Sequence, residues 1–230
     1  MSKKETAIVL VSGGMDSALT AAYAFLKYRL AFLHFNYGQR TERRELKAFN
    51  DLADYYNVDI RKVFNLNHFK EIGGSSLTDK KIKVSKADLK SKRIPSSYVP
   101  FRNANFLAVA VSWAEVIGAS RIFIGAVEED FSGYPDCRKI FFKDFNNLIK
   151  TGTKISSKLK VETPIINFDK KKIVLQSLKM KVPLNLTWSC YKNGDIACGE
   201  CDSCALRLRG FQQAGVKDPL KYKIIKSYLQ

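Results

Sequence analysis

No stretch of this chain approaches eighteen uninterrupted apolar residues, so no membrane-spanning helix is expected. Met1-Ser2-Lys3-Lys4-Glu5 leads straight into a strand-like run without the apolar core of a signal peptide, and the expected location is cytoplasmic. Acidic residues are scarce: 22 Asp and Glu stand against 39 Lys and Arg, a formal net charge of +17. That balance permits contact with nucleic acid or an acidic partner, although net charge speaks to association more than to fold. No histidine lies near the four cysteines crowded toward the C-terminus, and their spacing argues for an all-thiolate metal site in a reducing compartment over disulfides. No internal repeat and no linker divides the chain. Its 230 residues with 46% hydrophobic content suffice for one buried core with a small appendage.

What is present begins with Ser12-Gly13-Gly14-Met15-Asp16-Ser17. It follows the β-branched run Ala7 to Val11, which reads as a buried parallel strand, and precedes Ala18 to Lys27, which reads as a helix. Strand, glycine turn and helix start make an anion cradle: glycines let backbone N–H groups approach a phosphate, the helix N-terminus adds partial positive charge, and Ser12 and Ser17 add hydroxyls. Asp16 suits either a helix cap or a magnesium ligand. A Walker A loop would end in Gly-Lys-Ser/Thr, and that lysine is missing here.

Further strands are expected at Leu30 to Phe35, Asp59 to Phe64, Arg121 to Val127 and Val161 to Ile165. Helices are expected at Thr41 to Tyr56, Ala104 to Gly118, Ile140 to Lys150, from a cap at Asp169 to about Lys181, and from Asp202 to Ala214. The alternation predicts an α/β fold with a doubly wound, mostly parallel sheet. His34, inside an apolar run, reads as a core histidine before a catalytic base. Asn36 to Arg40 lies at a strand's carboxyl end, where open parallel sheets bind ligands. The lysine-rich stretch Asp79 to Arg93 has no interleaved aromatics and reads as a solvated or disordered loop before a polyanion contact. Glu128 to Arg138 mixes carboxylates, aromatics and Cys137, the set wanted for a polar heterocycle; Cys137 suits recognition or packing before covalent catalysis. Arg207 and Arg209 read as solvating a helix face before reaching a carboxylate or phosphate.

Cys190, Cys198, Cys201 and Cys204 supply four thiolates, the tetrahedral set of a closed structural zinc site. An iron–sulfur cluster and unliganded core thiols are the alternatives.

The phosphate loop resembles that of the N-type ATP pyrophosphatases, and other strings are more specific. Tyr37-Gly38-Gln39-Arg40, Tyr98-Val99-Pro100 with Arg102-Asn103, Ser132-Gly133-Tyr134-Pro135-Asp136-Cys137-Arg138, Leu186-Thr187-Trp188-Ser189-Cys190 and Cys198-Gly199-Glu200-Cys201-Asp202-Ser203-Cys204 together resemble the 7-cyano-7-deazaguanine synthase family, from Ile8 to Pro219. Asn36, where the family usually has Asp, and Ala104-Asn105 depart from its pattern. The resemblance implies a PP-loop ATP pyrophosphatase domain over 1–185 and a zinc-binding segment over 186–230. It implies ATP binding by Leu10, Val11, Ser12, Gly13, Gly14, Met15, Asp16, Ser17, Ala18, Leu19 and Thr20, with Ser12, Asp16 and Ser17 catalytic and Mg2+ on the phosphates. It further implies 7-carboxy-7-deazaguanine binding by Tyr37, Arg102, Ser132, Gly133, Tyr134, Asp136 and Arg138, zinc on Cys190, Cys198, Cys201 and Cys204, free ammonium as nitrogen donor, and a homodimer. A tRNA-modifying enzyme that thiolates or amidates a base would use the same adenylation loop and is one rival reading; the other, a non-enzymatic zinc module that binds nucleic acid, is opposed by the intact phosphate loop.

Overall fold

The computed structural model describes residues 4–91, 93–128, 133–154 and 158–229. Ser132, with Glu129, Asp130, Phe131 and Lys92, lies outside the described residues. Five strands, β1 (Thr6–Leu10), β2 (Arg29–Asn36), β3 (Ile60–Asn65), β4 (Arg121–Ile124) and β5 (Lys160–Glu162), form one sheet in the order β3-β2-β1-β4-β5. Every pairing is parallel. The chain winds outward from β1 in one direction and then crosses to the other side, so the switch in strand order falls between β1 and β4. At such a point the carboxyl ends of the strands leave a crevice.

Period-two alternation divides the sheet between two apolar layers. Ala7, Val9, Leu30, Phe32 and Phe123 face a cluster with α1 (Met15–Phe25), α2 (Glu42–Tyr55), α6 (Lys170–Lys179) and α7 (Asp202–Gln213). Ile8, Leu10, Ala31, Leu33, Ile122 and Ile124 face a second cluster with α4 (Arg102–Ile117) and α5 (Lys139–Gly152). Nearly continuous apolar strands are therefore what a sheet covered on both faces demands. The edge strand β3 is half-exposed and carries Arg61 and Lys62.

The boundaries shift where backbone geometry overrides the apolar pattern. Helix α1 begins at Met15 and takes in Asp16 and Ser17, which the sequence reading leaves in the loop. Strand β4 stops at Ile124, short of Val127, because at Gly125 the chain passes the first turn of α1: a Cβ there would lie 2.9 Å from the backbone carbonyl of Asp16. A short helix, α3 (His68–Ile72), was not anticipated. Asp169 does cap α6, accepting from the Lys172 N–H at 2.6 Å.

The lysine-rich stretch departs from the reading as a free loop. Its lysines Lys80, Lys81, Lys83, Lys86 and Lys90 are exposed, yet its backbone is tied down at both ends. Arg40 donates to the carbonyls of Ser76, Asp79 and Ile82, and the Ala87 N–H donates to the Glu200 carbonyl at 2.8 Å. Composition reports the solvated side chains and misses the backbone anchors.

Candidate active site and metal centre

A cavity of about 460 Å³ opens at the carboxyl ends of β1, β2 and β4. The phosphate loop forms one wall. Gly13 adopts φ +88°, and a Cβ there would meet Ala48 Cβ at 2.8 Å and the Glu45 carbonyl at 2.9 Å, so only glycine lets the loop rest on α2. Ser12 Oγ accepts from the Gly14 N–H and lies 3.3 Å from Ser17 Oγ, which donates to the Gly14 carbonyl at 2.9 Å. These bonds hold the turn open with its hydroxyls and the N-terminus of α1 toward the cavity.

Asp16 is not the cap: Gly14 occupies that position. Its Oδ2 accepts from Lys170 Nζ at 2.8 Å, while Oδ1 is buried without a partner. A buried carboxylate oxygen left open beside a phosphate loop is the donor type Mg2+ takes. Among the expected nucleotide contacts, Leu10, Val11, Ser12, Gly14, Met15, Asp16 and Ser17 line the cavity. Ala18, Leu19 and Thr20 are wholly buried and do not, and Gly13 serves the turn. The difference follows from position along the helix: only the first residues of α1 reach the cavity, and the next turn is buried in the core.

Tyr37 and Arg102 meet at the opposite wall. Arg102 Nη1 donates to the Tyr37 hydroxyl at 2.9 Å, and burial pushes that phenol up to about 12 against the pull of Arg102. The Tyr37 N–H donates to Gln39 Oε1, and Gln39 in turn donates to Glu45. Tyr134 lines the cavity with its hydroxyl 2.9 Å from Ser97 Oγ. Of the other residues expected to contact substrate, Asp136 is turned away. Its Oδ2 accepts from the Asn103 N–H at 2.8 Å, satisfying the first turn of α4. Gly133 and Arg138 are exposed outside the cavity, and Arg138 donates to the Pro135 carbonyl. Cys137 lines the cavity, but burial pushes its thiol up to about 11. A thiol that stays protonated at neutral pH is a packing group and an Asn103 contact, not a nucleophile. His34 is the core histidine expected: Nδ1 lies 2.8 Å from the Val11 carbonyl, and burial lowers its pKa.

The four cysteines converge with their sulfurs within 4.8 Å of one another. A tetrahedral site with bonds of ~2.3 Å has edges of about 3.8 Å, and Cys198 Sγ lies 3.8 Å from Cys204 Sγ. Backbone N–H groups of Asn193 and Cys198 point at Cys190 Sγ, and those of Glu200 and Cys201 at Cys198 Sγ, all at 3.3–3.4 Å. Such bonds favour thiolates. Hydrogen bonds from Cys201 and Cys204 draw the Cys190 thiol down, and the same bond to Cys190 drives Cys201 up. Four thiols this close cannot all ionise without a counter-charge, and a divalent cation removes that conflict.

Several residues at the site escaped the sequence reading. Lys170 lies in α6, 154 positions from Asp16, and supplies a cation that the loop itself lacks. The only local signal is its place just after the Asp169 cap. Arg207 is 1% exposed, so it does not solvate a helix face. It grips Asp218 through Nε–Oδ2 at 2.7 Å and Nη2–Oδ1 at 3.0 Å, and donates to Thr187 Oγ1 at 2.7 Å. The Trp188 backbone N–H donates to the Gly13 carbonyl at 2.8 Å, tying the segment before Cys190 to the phosphate loop.

A glycine turn at a helix start and an aromatic and arginine wall thus line one cavity, with the four-cysteine cluster beside it. The family model described as queuosine biosynthesis protein QueC matches residues 6–215. The 7-cyano-7-deazaguanine synthase of Chloroherpeton thalassium is 58% identical over 224 residues, covering 97% of this chain and 99% of that one. Those of Chlorobium phaeobacteroides and Chlorobium chlorochromatii are 54% and 55% identical over 224 residues, covering 97% of this chain and 99% and 98% of theirs. With a family match over most of its length and relatives of this similarity end to end, the chain belongs to the QueC family of queuosine biosynthesis proteins.

Proposed function

We propose that this protein is an ATP-dependent ligase that converts 7-carboxy-7-deazaguanine and ammonia to 7-cyano-7-deazaguanine. The observation that carries the reading is that the phosphate loop, with the Asp16–Lys170 pair, and the Tyr37–Arg102–Tyr134 wall open into the same cavity. The names of the relatives support the substrate.

The chemistry must turn a carboxylate oxygen into a leaving group twice. A carboxylate oxygen attacks the α-phosphorus of ATP, pyrophosphate departs, and an acyl adenylate forms. Ammonia adds to the carbonyl carbon, AMP leaves, and a proton is lost to give the amide. The amide oxygen attacks the α-phosphorus of a second ATP and expels a second pyrophosphate, and loss of AMP and the two remaining N–H protons leaves the nitrile. Each original oxygen departs on one AMP, so the atoms balance without added water. The backbone N–H groups of the loop, Ser12, Ser17 and Lys170 stabilise charge on the phosphates. Mg2+, when bound, neutralises the departing pyrophosphate, and Asp16 Oδ1 is its candidate ligand. Tyr37, Arg102 and Tyr134 hold the heterocycle.

The thiolate centre is a structural zinc site: four sulfurs leave no open coordination position. Residues 1–185 form the nucleotide-binding domain and 186–230 a segment packed on it, supported by the Trp188–Gly13 bond. A cytoplasmic homodimer using free ammonium completes the reading, and no helix of the described residues is long and apolar enough to cross a membrane.

Incubation with 7-carboxy-7-deazaguanine, ATP, Mg2+ and ammonium, followed by mass spectrometry, should yield the nitrile, AMP and pyrophosphate. Tight, salt-sensitive tRNA binding with no nitrile would replace this reading by base modification on tRNA.

A further inference from the structure

Among the described residues, four acidic side chains line the cavity, and three are committed. Asp16 is paired with Lys170 on the phosphate loop. Both oxygens of Glu45 are taken, Oε1 by Thr41 and Oε2 by Gln39. Asp88 is exposed and accepts from the Lys90 N–H. Asp202 shares with Asp16 an oxygen buried without a partner, but Asp16 is already paired with Lys170 and is the candidate Mg2+ ligand. Asp202 opens α7 beside Cys201, its carboxylate takes a backbone hydrogen bond from Asp88, and its Oδ2 is buried without any partner. A buried acceptor left open costs free energy unless something in the cavity donates to it.

The surroundings say what kind of donor is missing. Arg102, Lys170 and Arg209, which also line the cavity, have only donors to offer, and suit phosphate, carboxylate or a ring carbonyl. None can receive an N–H. Asp202 and Tyr134 line the same cavity, which puts the carboxylate on the cavity shared with the aromatic wall. A guanine-type ring presents N1–H and its exocyclic amino group side by side, two donors on one edge. A carboxylate presents two acceptors at matching separation, the complement used wherever bidentate recognition is needed.

We propose that Asp202 reads the donor edge of the deazaguanine, accepting from N1–H and the 2-amino group. The proposal rests on the function inferred above and adds the residue that selects a guanine-type ring. It also gives the thiolate centre a task in recognition: Cys201 and Cys204 flank Asp202 and clamp the first turn of α7, so the centre holds the carboxylate in place.

The test is equilibrium binding by calorimetry, with two compounds and two proteins. The compounds are 7-carboxy-7-deazaguanine and its analogue lacking the 2-amino group; the proteins are the unmodified chain and Asp202→Asn. Hydrogen bonds to charged groups are worth ~1.5–3 kcal/mol, which converts to roughly 10- to 150-fold in affinity. The unmodified chain should therefore bind the parent compound at least about tenfold more tightly than the analogue. In Asp202→Asn one acceptor becomes a donor facing a donor, so parent affinity should fall and the preference should shrink. ATP affinity and metal content should hold. Equal binding of the two compounds by the unmodified chain overturns the proposal without any variant, even if nitrile is formed. A preference that survives intact in a metal-replete Asp202→Asn overturns it as well. Failure of the unmodified chain to bind either compound removes the functional reading and this proposal with it.

Discussion

Lys170 shows how one residue can complete a site that its local sequence does not announce. The phosphate loop lacks the lysine of a Walker A motif, and a side chain from α6 stands in its place, 2.8 Å from Asp16. Because its side chain is 8% exposed, its charge would act on a phosphate at the proposed site with little screening by water. Lys170→Met should keep the fold and lower kcat for nitrile formation by about 10²–10³, the usual cost of losing one preorganised donor to a developing anion. A rate within threefold of the parent protein, measured by pyrophosphate release, would remove Lys170 from the chemistry.

At the scale of elements, α7 is fastened by a buried ion pair. Arg207 joins the helix to Asp218 in the tail and to Thr187 and the Leu184 carbonyl in the segment before Trp188. Tyr222 donates to the same carboxylate at 2.7 Å. Removing one partner of such a pair strands a buried charge and costs ~3–5 kcal/mol. For a chain of this size each kcal/mol moves Tm by about 2–4 °C, so Arg207→Met should melt roughly 6–20 °C lower by calorimetry. A double replacement of Arg207 and Asp218 by apolar residues of similar volume should recover much of the loss. A single variant that melts unchanged would mean that the pair contributes nothing net.

For the whole molecule, the thiolate centre is a junction between the cavity roof, the tail and α7. Glu200 accepts from the Ala87 N–H and pairs with Lys86 and Lys192, while Tyr228 donates to the Gly199 carbonyl at 2.7 Å. Removing the metal by chelation, or by Cys201→Ser, should raise amide hydrogen exchange across residues 85–91 and 220–228 while β1 and β2 keep their protection. That pattern is expected because local opening follows loss of local anchors. Unchanged exchange at Ala87 after metal loss would separate the roof from the centre.

The amino-acid sequence alone determined the pieces whose partners are close along the chain. Strand alternation specified both faces of the sheet, Ser12 to Ser17 specified a glycine turn between β1 and α1, and the spacing of Cys190, Cys198, Cys201 and Cys204 specified a four-thiol cluster that could hold a metal. These are legible because a pleat, a turn and a short-range ligand set impose residue types at fixed intervals. Tertiary structure alone decided which side chains meet across long separations. It brought Lys170 to Asp16, turned Asp136 to the start of α4, sank Arg207 onto Asp218, and left a buried Asp202 oxygen without a partner in a residue that lines the cavity. No periodicity encodes such meetings, since they depend on where separate helices come to rest on the common sheet.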